Sequence, residues 1–358
     1  MRTLRYRPLK APDCAIVANK IVIEKMTAED RELLSEIAVR DEVEAIRASL
    51  CELGYNPLVI EVWDDVSGLL ATLTKRKLSF VFNLCESLQG DSTLEMCVPS
   101  MLEMLRIPYT GSAPLTLGLA LHKGRAREIL HYYRVPYPRF AVLSEVPKEK
   151  PRGIPFPMIV KPSREDGSAG ITKDSVVRGF AQLKAQVDYI LRNHEQPALV
   201  EEYIEGREFN VAVLGDSDPV AMPVSEIDFS TLDPSLPPIV SYDAKWNVNS
   251  AYYRGTVPKC PAELEPAVEE RIRQTALTAY RALGVRDYGR VDIRLSAEGT
   301  PYVLEVNPNP DISPKAGLAR AAGVAGMSYP QLIERIVALA LARSSAYEYQ
   351  EASAVGQG

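Results

Sequence analysis

The sequence predicts a mixed α/β protein of two or three domains, and three observations carry that prediction. A chain of 358 residues is about twice the ~150 residues of an ordinary domain. Its first third alternates short β-like runs with helical patterns, the order that builds a parallel sheet covered by helices. With 46% hydrophobic and 25% charged residues, the chain has the composition of a globular protein with a sizeable core.

Taken in order, Cys14 to Ile23 is an apolar run, and Asp41 to Leu53 carries Val43, Ile46 and Leu50 at helical spacing before Gly54. A strand is expected over Pro57 to Trp63, a weak helix to Thr74, a strand over Leu78 to Leu84, and a helix over Thr93 to Leu105. Ligands of such sheets gather beyond the carboxyl ends of the strands, which makes Asn83 to Asp91 a candidate substrate wall. A solvated loop bearing Glu86 and Asp91 is the competing reading. Ser112-Ala113-Pro114 starts a helix from Leu115 to about Tyr133, which Val135-Pro136-Tyr137-Pro138 stops. Strands follow at Phe140 to Leu143 and Met158 to Lys161, then a helix over Ser175 to Asn193 and a strand over Ala198 to Tyr203. Glu208 to Leu214 alternates as a strand, and a long irregular segment runs to Pro261. Val268, Ile272, Ala276, Ala279 and Leu283 then mark a helix ending at Gly284. Tyr329 to Ala342 is a closing helix, and Ser344 to Gly358 reads as a frayed tail.

Composition excludes several function classes. Forty-one basic against 47 acidic residues, a net charge of −6, argues against a nucleic-acid surface. The 5 cysteines lie far apart with no C-x-x-C, which argues against a disulfide scaffold or a zinc knuckle. The basic start lacks the apolar run of a signal peptide, and no apolar stretch is long enough to span a membrane. A cytoplasmic protein is expected.

The most informative segment is a hairpin. Arg290 to Leu295 alternates, with Val291, Ile293 and Leu295 on one face, and Tyr302 to Asn307 follows a turn centred on Glu298-Gly299. A loop of Ala297 to Thr300 sets Ser296 against Pro301, pairing Asp292 with Glu305 and Arg290 with Asn307. Directly paired residues share a face with Cβ atoms ~4.5–5.5 Å apart. Two carboxylates and an amide oxygen so placed suit Mg²⁺ or Mn²⁺. The alternative is an exposed lattice in which Arg290 and Arg294 neutralise the two acids.

A second signal is Met158-Ile159-Val160-Lys161-Pro162, a buried-strand pattern ending in a lysine that needs an anionic partner. Ser163 to Gly170 follows it, and small residues there let backbone N–H groups wrap phosphate oxygens. A mobile surface turn is the competing reading. Lys123 and Lys245, each taken alone, read as solvated charges.

Taken together, Tyr109-Thr110-Gly111-Ser112, Lys123, Val160 to Glu165, Glu201 to Phe209, Tyr242 to Lys245, Gly289 to Asp292 and Leu304 to Asn307 resemble the ATP-grasp enzymes. The likeness is to the D-alanine–D-alanine ligase branch and covers about residues 78 to 340. It implies an N-terminal Rossmann-like parallel-sheet domain (1–113), a central lid subdomain (114–203), a C-terminal subdomain (204–343) and a flexible tail (344–358), with ATP gripped between two α+β units. By position, Lys123 and Lys161 would bind ATP phosphates and Lys245 the terminal phosphate. Glu201, Glu202, Tyr203 and Ile204 would line adenine, with Glu208 on the ribose. Asp292, Glu305 and Asn307 would hold two Mg²⁺ ions, Mn²⁺ being the alternative. Arg290 would stabilise the transferring phosphoryl group, and Gly170 and Ser168 belong to a loop that would close on the reaction. The resemblance implies an ADP-forming ligase that joins a small-molecule carboxylate to an amine through an acyl phosphate. A homodimer is left open.

The same resemblance marks departures. Trp246 stands where those enzymes carry the tyrosine of a Ser-Tyr-Glu triad, and Gly167 where they carry its serine. No N-terminal glutamate matches the third member. Asn307-Pro308-Asn309-Pro310-Asp311 replaces Asn-Thr-Ser-Pro-Gly, and Ala316-Gly317 replaces the Ser-Leu pair that receives the second substrate's carboxylate. Amino acid substrates other than two D-alanines are therefore expected, with Glu86, Trp246, Tyr252, Arg254, Asp311 and Lys315 as candidate contacts. An atypical D-alanine–D-alanine ligase, a small-molecule kinase and an inactive nucleotide binder are the alternatives.

Overall fold

In a computed structural model, the backbone of residues 13–20 and 31–355 is described, with the side chains of 14–20 and 39–343. The basic start and Ile21 to Ile23 lie outside those residues.

Strand β1 (Asp13–Asn19), helix α1 (Arg31–Glu52), β2 (Asn56–Val62), α2 (Val66–Lys75), β3 (Val81–Leu84) and α3 (Cys97–Met104) form the first unit. Its three strands run parallel, as the alternating pattern predicts, and lie in the order β2-β1-β3. Both faces of β1 are buried, which is why it reads as an unbroken apolar run. Ala15 and Val17 pack under α2 and α3 through Leu69, Leu73, Val98 and Leu102. Cys14 and Ile16 face the opposite way, onto Ile46 and Leu50 of α1 and onto residues from the end of the chain.

Next come α4 (Pro114–Leu121), α5 (Lys123–Tyr132), β4 (Phe140–Leu143), β5 (Met158–Pro162), β6 (Val176–Val177), α6 (Phe180–Asn193) and β7 (Ala198–Glu202). The four strands make an antiparallel sheet, β4-β7-β5-β6, backed by Leu183, Val187 and Ile190 of α6. Two expectations are corrected. The helix expected over Leu115 to Tyr133 breaks at His122, whose ψ of 79° is not helical, because the Lys123 N–H turns to the Ser163 carbonyl at 3.1 Å. The helix expected from Ser175 starts five residues later, since Val176 and Val177 pair with β5 instead.

The third group is β8 (Gly206–Leu214), β9 (Val220–Ala221), β10 (Ser225–Asp228), α7 (Tyr242–Trp246), α8 (Ala251–Gly255), β11 (Val257–Lys259), α9 (Pro266–Ala282), β12 (Tyr288–Ser296), β13 (Pro301–Asn307), α10 (Gly317–Val324) and α11 (Tyr329–Val355). Its antiparallel sheet runs β11-β10-β8-β12-β13, with β9 added to β8. The segment between Leu214 and Pro261, expected to be irregular, thus supplies three strands and two short helices. One face of the sheet packs on α9 through Ile272, Ala276 and Tyr280. Ala212 and Leu214 reach the other way, into the cluster shared by β1, β3 and α11. Helix α11 continues to Val355 instead of fraying at Ser344, for nothing from Ser344 to Val355 is glycine or proline.

An ion network centred on the buried Asp287 ties the first unit to the third. Arg343 of α11 bonds both oxygens of Asp287, Asp216 at 2.9 Å and the Tyr109 carbonyl at 3.0 Å. Asp287 also accepts from the Gly111 N–H at 2.7 Å, and burial pushes its carboxyl up to about 6 despite the guanidinium. Among the described residues no helix is long and apolar enough to cross a membrane.

Candidate active site

The two antiparallel sheets face each other across a cavity of about 570 Å³. The hairpin β12–β13 forms one wall. Asp292 lies opposite Glu305 and Arg290 opposite Asn307, as counted from the sequence. The route to that register differs, however. Leu295, not Ser296, faces Pro301, and a bulge between Asp292 and Ile293 absorbs Leu304 and restores the pairing. A bulge adds one residue to one strand, so the offset at the turn and the bulge cancel. The Leu304 carbonyl accepts from Arg127.

Each acid has a cation. Arg290 holds Asp292 with two bonds, Nε to Oδ1 at 2.7 Å and Nη2 to Oδ2 at 3.0 Å, and Asn210 adds a third at 2.7 Å. Glu305 lies 2.7 Å from the Lys123 Nζ. Arg294, the other cation of the lattice alternative, turns away to Glu208. Burial opposes the charge on Glu305, yet Lys123 and Lys161 hold its carboxyl well below the usual range. Among the described residues no three His, Cys, Asp or Glu side chains form a metal cluster. The set is two carboxylates and the Asn307 oxygen, all hard donors. That suits Mg²⁺, which takes one or two carboxylates and leaves positions for phosphate oxygens.

Lys123 begins α5 and is buried, a consequence of the break at His122. Besides Glu305 it meets Asp166 at 3.1 Å and the Glu165 carbonyl. Sequence reasoning gave Asp166 no side-chain role, because the contact spans 43 residues. Lys161, next to the end of β5, meets Glu201 at 2.7 Å, and Glu201 also pairs with Arg127 at 2.7 Å. The Glu201 side chain is therefore turned to buried cations, while Glu202, Tyr203 and Ile204 continue the cavity wall. Glu208 is buried on Arg294. Lys245 of α7 lines the cavity and makes no ion pair among the described residues. Burial, then the Arg290 cation, lowers its ammonium below the usual lysine range.

Ser168 lines the cavity and donates to the Val240 carbonyl at 2.9 Å. Gly170 holds φ at 72°, and a Cβ there would stand 2.6 Å from Pro162 and 2.7 Å from His194. Gly170→Ala is expected to displace the loop, cutting turnover about tenfold or more with little change in melting temperature. Unaltered kinetics would show that the loop's position is immaterial.

The candidate substrate contacts separate. Tyr252 is buried and donates to the Pro237 carbonyl at 3.1 Å in a core with Tyr203 and Ile239, so it does not serve the cavity. Tyr253 lines it instead. Arg254 is exposed and bonds the Asn249 carbonyl at 3.0 Å, Trp246 is half-buried off the lining, and the exposed Lys315 is off it too. Glu86 is exposed to solvent and lies off the cavity lining. Glu42 of α1, missed in the sequence, accepts from the Ile312 N–H at 2.9 Å beside Asp311. Burial, then Asp311, pushes that carboxyl up to about 8.

A nucleotide-sized cavity between two antiparallel sheets, lined by lysines and hairpin carboxylates, defines an ATP-grasp fold. The solved D-alanine–D-alanine ligase of Bacillus anthracis, complexed with ATP, matches it with a TM-score of 0.72 at 21% identity, over 94% of this chain and 100% of that one. A family model described as D-ala D-ala ligase C-terminus matches residues 135–338. The uncharacterized protein y4sG of Sinorhizobium fredii is 36% identical over 307 residues, 83% of this chain and 86% of that protein. A D-alanine–D-alanine ligase of Dechloromonas aromatica is 34% identical over 260 residues, 71% and 79% of the respective chains. The chain belongs to the D-alanine–D-alanine ligase family and is an ADP-forming ligase that makes an amide bond.

Proposed function

We propose that this ligase joins amino acids or amino acid-like substrates other than two D-alanines, activating one carboxylate with ATP. The observation that carries this is the contrast between kept nucleotide and metal residues and replaced D-alanine contacts. Lys161, Lys245, Arg290, Asp292 and Glu305 line the cavity and Lys123 pairs with Glu305, while Gly167, Trp246 and Ala316-Gly317 stand in the sequence where the resemblance places D-alanine contacts.

In this reading residues 114–203 and 204–343 close on the nucleotide. Asp292, Glu305 and Asn307 would hold Mg²⁺, two ions being the expectation; when bound, it neutralises phosphate charge. Glu202 to Ile204 line the base. Lys123, Lys161 and Lys245 hold phosphate oxygens, and the unpaired Lys245 is the one open to the terminal group. The substrate carboxylate attacks the γ-phosphorus and ADP leaves, giving an acyl phosphate. Arg290 then stabilises the oxyanion formed when the amine attacks the acyl carbon. Inorganic phosphate departs and one proton is released. The loop bearing Ser168 and Gly170 keeps water from the acyl phosphate.

Nucleotide phosphates must compete with Asp166 for Lys123, which is buried and already paired. Asp166→Ala should therefore tighten binding of a non-hydrolysable ATP analogue about threefold or more, by titration calorimetry. Equal or weaker binding would take Asp166 off the phosphate path.

The test of function is an ADP-release screen over D- and L-amino acid pairs with Mg²⁺. Turnover with pairs other than two D-alanines supports the proposal. The second reading, favoured by the name of the Dechloromonas relative, is an atypical D-alanine–D-alanine ligase. Phosphate release requiring D-alanine alone would establish that one instead.

A further inference from the structure

We propose that Asn309 is a positioning residue for the metal site, fixing the amide of Asn307 and fastening it to the first unit through Glu95. The inference rests on the reading of Asn307 as a Mg²⁺ ligand and adds what holds that ligand still.

Asn307 ends β13, and its Oδ1 accepts from the Asn309 N–H at 2.9 Å. An asparagine that bonds the backbone two residues on closes a turn. The bond takes one of the two lone pairs on the oxygen and leaves the other for a cation. Pro308 stands between the two asparagines with a fixed φ, so the turn has little freedom of its own. It can still swing as a unit about the end of the strand unless something outside holds it.

The Asn309 side chain supplies that hold. Its Oδ1 accepts from the Tyr288 hydroxyl at 3.1 Å. Its Nδ2 donates to the Cys85 carbonyl at 3.2 Å and to Glu95 Oε1 at 3.0 Å. Both amide donors and the amide oxygen are thus engaged, and all three partner residues are buried. Tyr288 opens β12, two residues before Arg290, whereas Cys85 and Glu95 belong to the first unit. Asn309 therefore ties the metal hairpin to a part of the fold more than 200 residues away, at separations of 214 and 224.

Glu95 suits a fixed acceptor. Burial, then Asp166, raises its carboxyl well above the usual range. A neutral acid offers a carbonyl oxygen to the Asn309 amide, as glutamine would. The resemblance puts serine where Asn309 stands, and a hydroxyl with one donor cannot serve Cys85 and Glu95 together. The brace is this chain's own. Partners that orient a metal ligand govern affinity almost as the ligand does.

The test measures Mn²⁺ binding with a non-hydrolysable ATP analogue, by electron paramagnetic resonance, in the parent, Asn309→Ala, Glu95→Ala and Glu95→Gln. Asn309→Ala should weaken Mn²⁺ about tenfold or more, and the Mg²⁺ needed for half-maximal ADP release should rise in step. Glu95→Ala should shift both the same way, and Glu95→Gln should recover most of the loss. Parental Mn²⁺ affinity in Asn309→Ala, whatever its melting temperature, overturns the inference and leaves Asn309 a packing residue. Equal losses in Glu95→Gln and Glu95→Ala would overturn the role given to Glu95. Asn309→Ser, which retains a hydrogen-bonding side chain, gives the same reading if the alanine variant misfolds. Asn307→Ala separates this inference from the reading beneath it. Parental Mn²⁺ affinity in Asn307→Ala ends the metal ligand and its brace together, while a loss there beside an unchanged Asn309→Ala ends the brace alone.

Discussion

Glu305→Ala and Asp292→Ala are each expected to lower kcat by about 10²–10³ or more, the scale seen when one preorganised electrostatic contact is removed. The fold should survive both changes. Without Glu305, Lys123 still meets Asp166 at 3.1 Å and the Glu165 carbonyl, so it is not stranded. Without Asp292, Arg290 loses a bidentate partner but remains partly open to the cleft. Melting temperature should therefore move by a few degrees, while the Mg²⁺ needed for half-maximal rate rises steeply. The competing reading, a lattice of ion pairs, predicts otherwise: partly exposed pairs contribute ~0–1 kcal/mol, and turnover would stay within a few-fold of the parent. That result, in either variant, would remove the metal assignment.

The hairpin was the most legible part of the site, and it was legible because a strict two-residue period leaves few registers. Even so, the turn lies one residue away from where simple alternation puts it. Ser296 closes on Thr300, N–H to carbonyl at 3.0 Å, and the bulge at Leu304 then corrects the pairing. The bulge has no local signal; it is linked to Arg127 of α5, whose side chain reaches the Leu304 carbonyl across 177 residues. That β1, β2 and β3 run parallel was legible for a similar reason, since short β-like runs alternate with helical patterns.

Long-range partners were not legible. Lys123, alone in a helical pattern, looked solvated, because nothing in Leu121-His122-Lys123 marks the helix break that buries it. Tyr252 and Tyr253 are adjacent, and only the phase of α8 decides which is core and which faces the cavity. Glu42 is an ordinary helix-surface glutamate until Ile312 is brought against it.

Glu201→Ala is expected to cost about 3–5 kcal/mol of stability, the range for leaving a buried charge without its partner. The sequence placed Glu201 along the adenine, yet its side chain joins two buried cations. Arg127 and Glu201 are each 1% exposed, and Lys161 is 9% exposed. Burial alone would raise the Glu201 carboxyl, but Arg127 and Lys161 outweigh it and hold it below the usual glutamate value of 4.5. A carboxylate depressed in the folded state stabilises above its unfolded pKa, and that contribution is lost as pH falls through the folded value. The deficit should therefore be full at pH 7 in urea denaturation and should shrink as the pH drops below about 4.5. Glu201→Gln separates charge from shape. It fills the same volume but leaves Arg127 and Lys161 without an anion, so it should lose nearly as much as alanine. Recovery of parental stability by glutamine, or a loss under about 1 kcal/mol in alanine, would mean that the two cations are solvated in the folded protein. Arg127 would then no longer be the bolt between α5, β7 and the bulge that sets Glu305 opposite Asp292.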